Sequence, residues 1–385
     1  MESSVPTLRV LRIIARMNVG GPALQVVGLT EGLHLPRFES RLLIGSVGPG
    51  EADYLDLRAP HIEAVRIPGL GRSPDPWGDA TALRTVIREI RRFRPHIVHT
   101  HTAKAGVLGR VAARTCRVPL TVHTFHGHLL YGYFSGPTKR LVVETERALA
   151  RATTRLVAVG RQVRDDLLGA GIGRPDQFVV VAPGVALPAA PSREAARGLL
   201  DVPVGARVVG FVARLTSVKQ PARFVDVALE LARDDPDLVF LVAGEGPLLA
   251  QMRRHAASLG DRMRFLGWRP DVENVYAASD VVLLTSDNEG MPVSLIEAAS
   301  VGTPAVSTDV GSAREVVIDG ETGFVTTPVV GELAAAARRI LGDPELRARM
   351  SAAATEHARR QFSAARLVDD TAGLYERLAA DAGLG

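Results

Sequence analysis

The chain of 385 residues holds one cysteine, Cys116, which excludes an intrachain disulfide, a cysteine-built zinc site and an iron–sulfur cluster. Lysine is nearly absent too: Lys104, Lys139 and Lys219 stand alone, and all other side-chain cations are arginine. No apolar run approaches the roughly eighteen residues of a membrane span. The opening Met1-Glu2-Ser3-Ser4 lacks a basic region, and Arg12 and Arg16 interrupt the apolar residues behind it. No signal peptide is therefore expected, and the expected compartment is the cytoplasm. Neither repeats nor low-complexity tracts occur, so wholesale disorder is excluded as well.

What is present divides along the chain. Residues 1–185 carry 25 Lys/Arg against 15 Asp/Glu, a balance of +10, while residues 186–385 carry 21 against 27, a balance of −6. Opposite signs on the halves of a chain too long for one ordinary core predict two domains with different partners. A basic half suits nucleic acid, an anionic membrane or a phosphorylated substrate. Arginine without lysine fits a GC-rich coding bias better than a nucleic-acid surface, so no nucleic-acid partner is expected.

One unit repeats: a short apolar run, a turn with glycine or proline, then an amphipathic helix. Strands are expected at 8–15, 41–44, 96–100, 120–124, 155–159 and 178–181. Helices are expected from the Gly20-Gly21-Pro22 turn to residue 33 and over 81–93, 105–115 and 138–152. A linker rich in proline and alanine falls at 182–193. The second half offers strands at 208–212, 239–243, 263–265, 281–285, 304–307 and 323–326, with helices over 221–233, 247–258, 293–301, 331–341, 344–360 and 364–380. This alternation predicts an α/β fold of two doubly wound, Rossmann-like domains, 1–185 and 186–363, facing each other across a cleft. Residues 364–385 form a last helix returning toward the first domain. Ligands are expected at the carboxyl ends of the strands.

The densest signal is Thr285-Ser286-Asp287-Asn288-Glu289-Gly290-Met291-Pro292-Val293-Ser294-Leu295-Ile296-Glu297-Ala298. An apolar strand ends in a polar loop, and a helix opens near Pro292 with amides suited to an anion. A carboxylate on each side of an anion site, Glu289 and Glu297, matches a ligand with phosphate in the middle and hydroxyls at both ends. The plainer alternative, a surface helix carrying Glu297, sits badly with its apolar neighbours. Arg214 and Lys219 follow the strand at 208–212, where two cations in an acidic domain suit a diphosphate.

Two glutamates with seven residues between them, in this Glu-Gly…Glu-Ala setting, resemble the signature of the retaining glycosyltransferases of family four, which have the GT-B fold. The resemblance covers nearly the whole chain. It implies that Glu297 binds ribose hydroxyls, that Glu289 contacts the donor sugar, and that Gly290, Met291, Pro292, Val293 and Ser294 receive the phosphate. Met291-Pro292 replaces the family's usual Phe-Gly. Arg214 and Lys219 would neutralise the leaving diphosphate in place of a metal; with no DxD-type motif, no metal and no cofactor are expected. Asp234-Asp235-Pro236-Asp237 reads as a solvated loop. The turns with Gly244 and Gly246, and Trp268-Arg269 after Gly267, would line the nucleotide. By common family usage the donor is a UDP-sugar, with UDP-N-acetylglucosamine the first choice.

In the first half, Gly20-Gly21 let backbone approach donor phosphate or acceptor, and Pro22 is expected at the first helical position. Eight of the ten histidines precede residue 130. Clustered histidines suit a zinc site less than structural and catalytic roles, since no carboxylate lies among them. His126-Gly127 resembles the family's His-Gly motif, which implies contact between His126 and the donor sugar. His101, His128 and Tyr131 are acceptor-side candidates, whereas His99 and His123 are expected to be buried and hydrogen-bonded. An aromatic loop over 129–137, with arginines at helical spacing (Arg84, Arg88, Arg91/Arg92; Arg147, Arg151, Arg155), suits peripheral contact with an inner membrane face holding a lipid-linked hydroxyl acceptor. A solvated arginine face and a packed lid loop account for the same residues. The rival functions are a non-hydrolysing UDP-sugar 2-epimerase, a non-catalytic nucleotide-sugar binding protein and, for want of GxGxxG, only remotely an NAD-dependent oxidoreductase.

Overall fold

The computed structural model describes residues 7–48, 51–71, 75–127, 136–186 and 189–384. The chain divides into two units, Met1–Gly184 with Ala364–Gly385, and Val185–Ser363.

Seven parallel strands form the sheet of the first unit: β1 (Leu8–Ile14), β2 (Phe38–Ile44), β3 (Ala64–Arg66), β4 (Ile97–His101), β5 (Leu120–Phe125), β6 (Arg155–Ala158) and β7 (Phe178–Val180). Their order is β3-β2-β1-β4-β5-β6-β7, which reverses direction between β1 and β4. Branched and leucine side chains cover both faces of β1, as a sheet sandwiched between helices requires. Leu11 and Ile13 pack with Val86 and Ile90 of the helix Pro76–Phe93. Leu8 and Val10 meet Leu367, Leu374 and Tyr375 of the last helix, Ala364–Asp381. Each such fully buried side chain contributes about 1.5–3 kcal/mol.

The second unit holds six parallel strands: β8 (Arg207–Val212), β9 (Leu238–Ala243), β10 (Met263–Gly267), β11 (Val281–Leu284), β12 (Ala305–Thr308) and β13 (Gly323–Thr326). The order β10-β9-β8-β11-β12-β13 reverses between β8 and β11. Phe211, Phe224 and Phe240 anchor its larger core. Both sheets are doubly wound, so ligand sites are expected beyond the carboxyl ends of β1/β4 and β8/β11.

Several local expectations need correction. Pro22 takes the second helical position, because Gly20 caps the helix Gly21–Gly32. The helix expected over 247–258 stops at His255 and continues as a 3₁₀ stretch, Ala257–Arg262, where Gly260 adopts φ 53°. Asp235 is buried rather than solvated, paired to Arg207 at 2.6 Å. The arginine series 147–151–155 is broken: Arg155 belongs to β6, and Arg147 is tied to the Ala170 carbonyl. Among the described residues no helix is long and apolar enough to cross a membrane.

Candidate active site

In the second unit the turn after β8 and the loop after β11 are sewn together by named bonds. Thr285 Oγ1 donates to the carbonyls of Lys219 and Gln220 at 3.1 and 3.0 Å. The Asp287 amide donates to Val218 O at 2.9 Å, and the Asp287 carboxylate pairs with Arg223 at 2.8 Å. This scaffold brings two of the candidate residues into contact. Lys219 Nζ lies 2.5 Å from Glu289 Oε1, and Ser286 Oγ donates to the same oxygen at 2.6 Å. Arg214 is exposed on the same turn.

The helix Val293–Val301 opens directly after this loop, with Pro292 as its N-cap and no side chain capping its amides. An uncapped N-terminus favours an anion. Met291 and Pro292 are themselves buried, whereas Val293 and Ser294 are half-buried. Gly290 accepts from the Ser312 amide at 2.8 Å, and Gly311 adopts φ 50° where a Cβ would lie 2.1 Å from the Glu289 carbonyl oxygen. That close approach pins the backbone at Glu289. Glu297 is half-buried, and its Oε2 accepts from the Tyr276 hydroxyl at 2.7 Å. Burial, then the Glu297 charge, pushes the Tyr276 phenol well above its ordinary range, so it remains a donor.

Beyond β9 and β10, Gly244 donates its amide to Gly267 O at 2.7 Å, and Leu215 to Glu245 O at 2.8 Å. Gly246 adopts φ +156°, where a Cβ would approach Leu215 O to 2.5 Å. The Trp268 amide points to Glu245 Oε1 at 3.5 Å. Arg269 is held by Asp271 through two bonds, so its guanidinium is engaged within its own loop.

In the first unit Gly20 is required by its φ of +156° rather than by crowding. His101 ends β4 and His126 follows β5, while the register pairs His101 with Thr124. His99 and His101 stand on one face of β4, rings stacked with centroids 4.2 Å apart. His101 Nδ1 lies 3.0 Å from His126 Nε2. His99 is bonded to Tyr375 OH and Thr124 Oγ1 at 2.6 and 2.7 Å, and His123 to Thr100 Oγ1 at 2.8 Å. Burial, then the charge of Arg12, holds His99 well below the usual imidazole range. Burial and the neighbouring rings do the same to His101, and burial with Arg110 to His123. Desolvation pushes His126, half-buried as a residue, down to about 3. Among the described residues no group of three or more His, Cys, Asp or Glu could hold a metal ion. His128, Tyr131 and most of the aromatic loop lie outside the described residues.

Reading along the chain missed Ser286, Asp287, Arg223 and Tyr276. Ser286 and Asp287 lay inside the quoted motif, and their polarity at a strand end was the available signal. Nothing local ties Tyr276 to Glu297.

The family described as glycosyl transferases group 1 matches residues 192–357, and the glycosyl transferase 4-like domain matches residues 20–184. The chain belongs to this family of glycosyltransferases. It is 31% identical over 312 residues to the Escherichia coli UDP-Gal:alpha-D-GlcNAc-diphosphoundecaprenol alpha-1,3-galactosyltransferase, covering 78% of this chain and 80% of that protein. It is 36% identical over 302 residues to the D-inositol 3-phosphate glycosyltransferase of Saccharomonospora viridis, covering 72% and 69%. Anabaena HepE, solved in complex with UDP and glucose, has the same GT-B fold at a TM-score of 0.81 and 23% identity, covering 96% of this chain and all of that one.

Proposed function

We propose that the protein transfers a hexose or N-acetylhexosamine from a UDP-sugar to an acceptor hydroxyl, keeping the anomeric configuration and using no metal. The observation that carries this reading is the pair of held carboxylates, Glu289 on Lys219 and Ser286, Glu297 on Tyr276, flanking a helix N-terminus that no side chain caps. The diphosphate sits on the amides of Met291, Val293 and Ser294 with Arg214 and Lys219 beside it. Glu297 takes the ribose hydroxyls and Glu289 the donor sugar; for His126 a donor-sugar contact is what the His-Gly resemblance implies.

In the reaction the bond from the anomeric carbon to the diphosphate oxygen breaks, and the acceptor oxygen bonds to the same face of that carbon. The acceptor proton passes to the departing phosphate. Arg214, Lys219 and the helix dipole offset the charge that develops on the leaving group, a preorganised electrostatic contribution. The UDP donor is supported by the relative named for UDP-Gal and by HepE, whose structure holds UDP. UDP-N-acetylglucosamine remains the first sugar to try.

The acceptor is a lipid-linked sugar, as in the undecaprenol relative's name. Peripheral membrane contact is supported by the exposed Arg84, Arg88, Arg91 and Arg92 on one helix and by Trp77, 85% exposed at its start.

The test is a thermal-shift series with UDP-, GDP- and ADP-sugars, without metal, on the wild type and Glu297→Ala. Stabilisation by UDP-sugars alone, lost in the variant, is the expected result. No shift with any nucleotide would overturn the donor site. Proton NMR of the product's anomeric coupling then decides retention.

A further inference from the structure

The histidine cluster of the first unit contains an imbalance that fixes a proton. His101 is fully enclosed, its Nδ1 engages His126 Nε2 at 3.0 Å, and its Nε2 has no hydrogen-bond partner among the described residues. Both rings are held neutral by burial, so one of the two facing nitrogens carries a hydrogen and the other a lone pair.

Two arrangements are open. If His126 donated, His101 would carry its hydrogen on Nε2, leaving a buried N–H with nothing to receive it. If His101 donates, Nε2 is a bare lone pair, and orphaned N–H groups are the rarer and costlier case. The charge of the buried Arg12 is among the causes that hold the His101 ring neutral.

We propose that His101 is the positioning residue for His126: its Nδ1–H donates to His126 Nε2, so His126 carries its own hydrogen on Nδ1 and offers substrate a donor rather than a base. His126 Nδ1 is the nitrogen left over from this bond, on a residue that is half-buried where His101 is enclosed. The assignment of that N–H to an oxygen of the donor sugar rests on the function proposed above; the His101–His126 bond does not.

The test reads the proton directly. Long-range ¹H–¹⁵N correlation spectra of the full chain at pH 7.5 give each ring's tautomer without any ligand. Expected are Nδ1–H on both His101 and His126, with His126 reverting to a tautomer mixture in His101→Phe and keeping Nδ1–H in His101→Asn, whose amide places an N–H near the original Nδ1. His126 found protonated on Nε2 in the wild type overturns the proposal, and so does an unchanged His126 tautomer in a folded His101→Phe. Turnover is read as release of UDP from UDP-glucose in water. A fall in kcat of about tenfold in His101→Phe, with KM for UDP-glucose within about twofold and recovery in His101→Asn, is the expected split. Equal kcat in all three proteins overturns the positioning role. His126→Ala turning over like the wild type, with the wild-type tautomers as assigned, overturns the sugar contact instead and leaves the proton assignment standing.

Discussion

Lys219 and Glu289 hold each other: Nζ stands 2.5 Å from Oε1, on a carboxylate whose side chain is only 8% exposed. Lys219 follows β8 and Glu289 follows β11, so the pair spans the point where strand order reverses. Removing the lysine leaves an almost buried carboxylate with Ser286 as its remaining partner on that oxygen. Lys219→Met is expected to lose about 1–3 kcal/mol in urea unfolding and to weaken UDP-glucose about tenfold or more. Adding Glu289→Gln should recover part of the stability and none of the affinity. A Lys219→Met protein as stable as the wild type would show that the pair carries no structural weight.

Tyr276→Phe isolates the second carboxylate. The phenol is fully buried and donates to Glu297 at 2.7 Å, while its backbone carbonyl accepts from Thr303 Oγ1 independently of the ring. Phenylalanine fills the same space without the hydroxyl. The expected loss is about 1 kcal/mol of stability and a several-fold weaker Kd for UDP, read by calorimetry. An unchanged Kd would detach Tyr276 from the nucleotide site.

The strands β4, β5, β9, β11 and β12 are legible because each is a short run buried on both faces, and the Glu289…Glu297 spacing is legible because both ends lie in one loop-and-helix segment. What escaped was short or distant. β3 is three residues with a single valine, too brief for any periodicity. The helix Val272–Ala278 spans two turns after Pro270 and carries the Tyr276 hydroxyl that donates to Glu297, 21 residues downstream. Asp280 gathers Arg193 and Arg197 from one helix and Arg347 from another, all in the second unit. Such convergence is set by strand order, which no local pattern encodes. Likewise, the stacking of His99 and His101 follows from strand alternation, whereas the His101–His126 bond needs the β4–β5 register.

Two glycines should respond to alanine with opposite signs. At Gly244, φ is +137° and a Cβ would lie 1.9 Å from the carbonyl oxygen of Ala213, a residue just beyond β8 whose amide donates to Ala243 O at 3.1 Å. Gly244→Ala is expected to cost about 2–4 kcal/mol. Gly28 lies inside the helix Gly21–Gly32 with nothing within 4 Å of its Cβ position, and Gly28→Ala should gain about 0.5–1 kcal/mol. Urea midpoints of both variants against the wild type decide the matter; equal shifts would contradict the close packing at Ala213.

Acid should weaken the first unit through its histidines. His99, His101 and His123 are enclosed and held well below 6.5, and His126 is down at about 3. Above pH 6.5 these rings are neutral whether the chain is folded or not, so they add no pH dependence there. Below it the unfolded chain takes up protons that the folded chain refuses, and stability falls as pH drops toward the folded values. Each ring that stays neutral contributes a slope of at most about 1.4 kcal/mol per pH unit, less for the partly exposed His126. Arg12 and Arg110, the buried cations facing these rings, keep their charge throughout and so sharpen the penalty without titrating. Urea unfolding followed between pH 7.5 and 5 should show stability steady down to about pH 6.5 and then falling. In His123→Gln the fall should be shallower by roughly one proton's worth of slope. A fall equally steep in the variant would remove His123 from the groups that make the fold acid-sensitive.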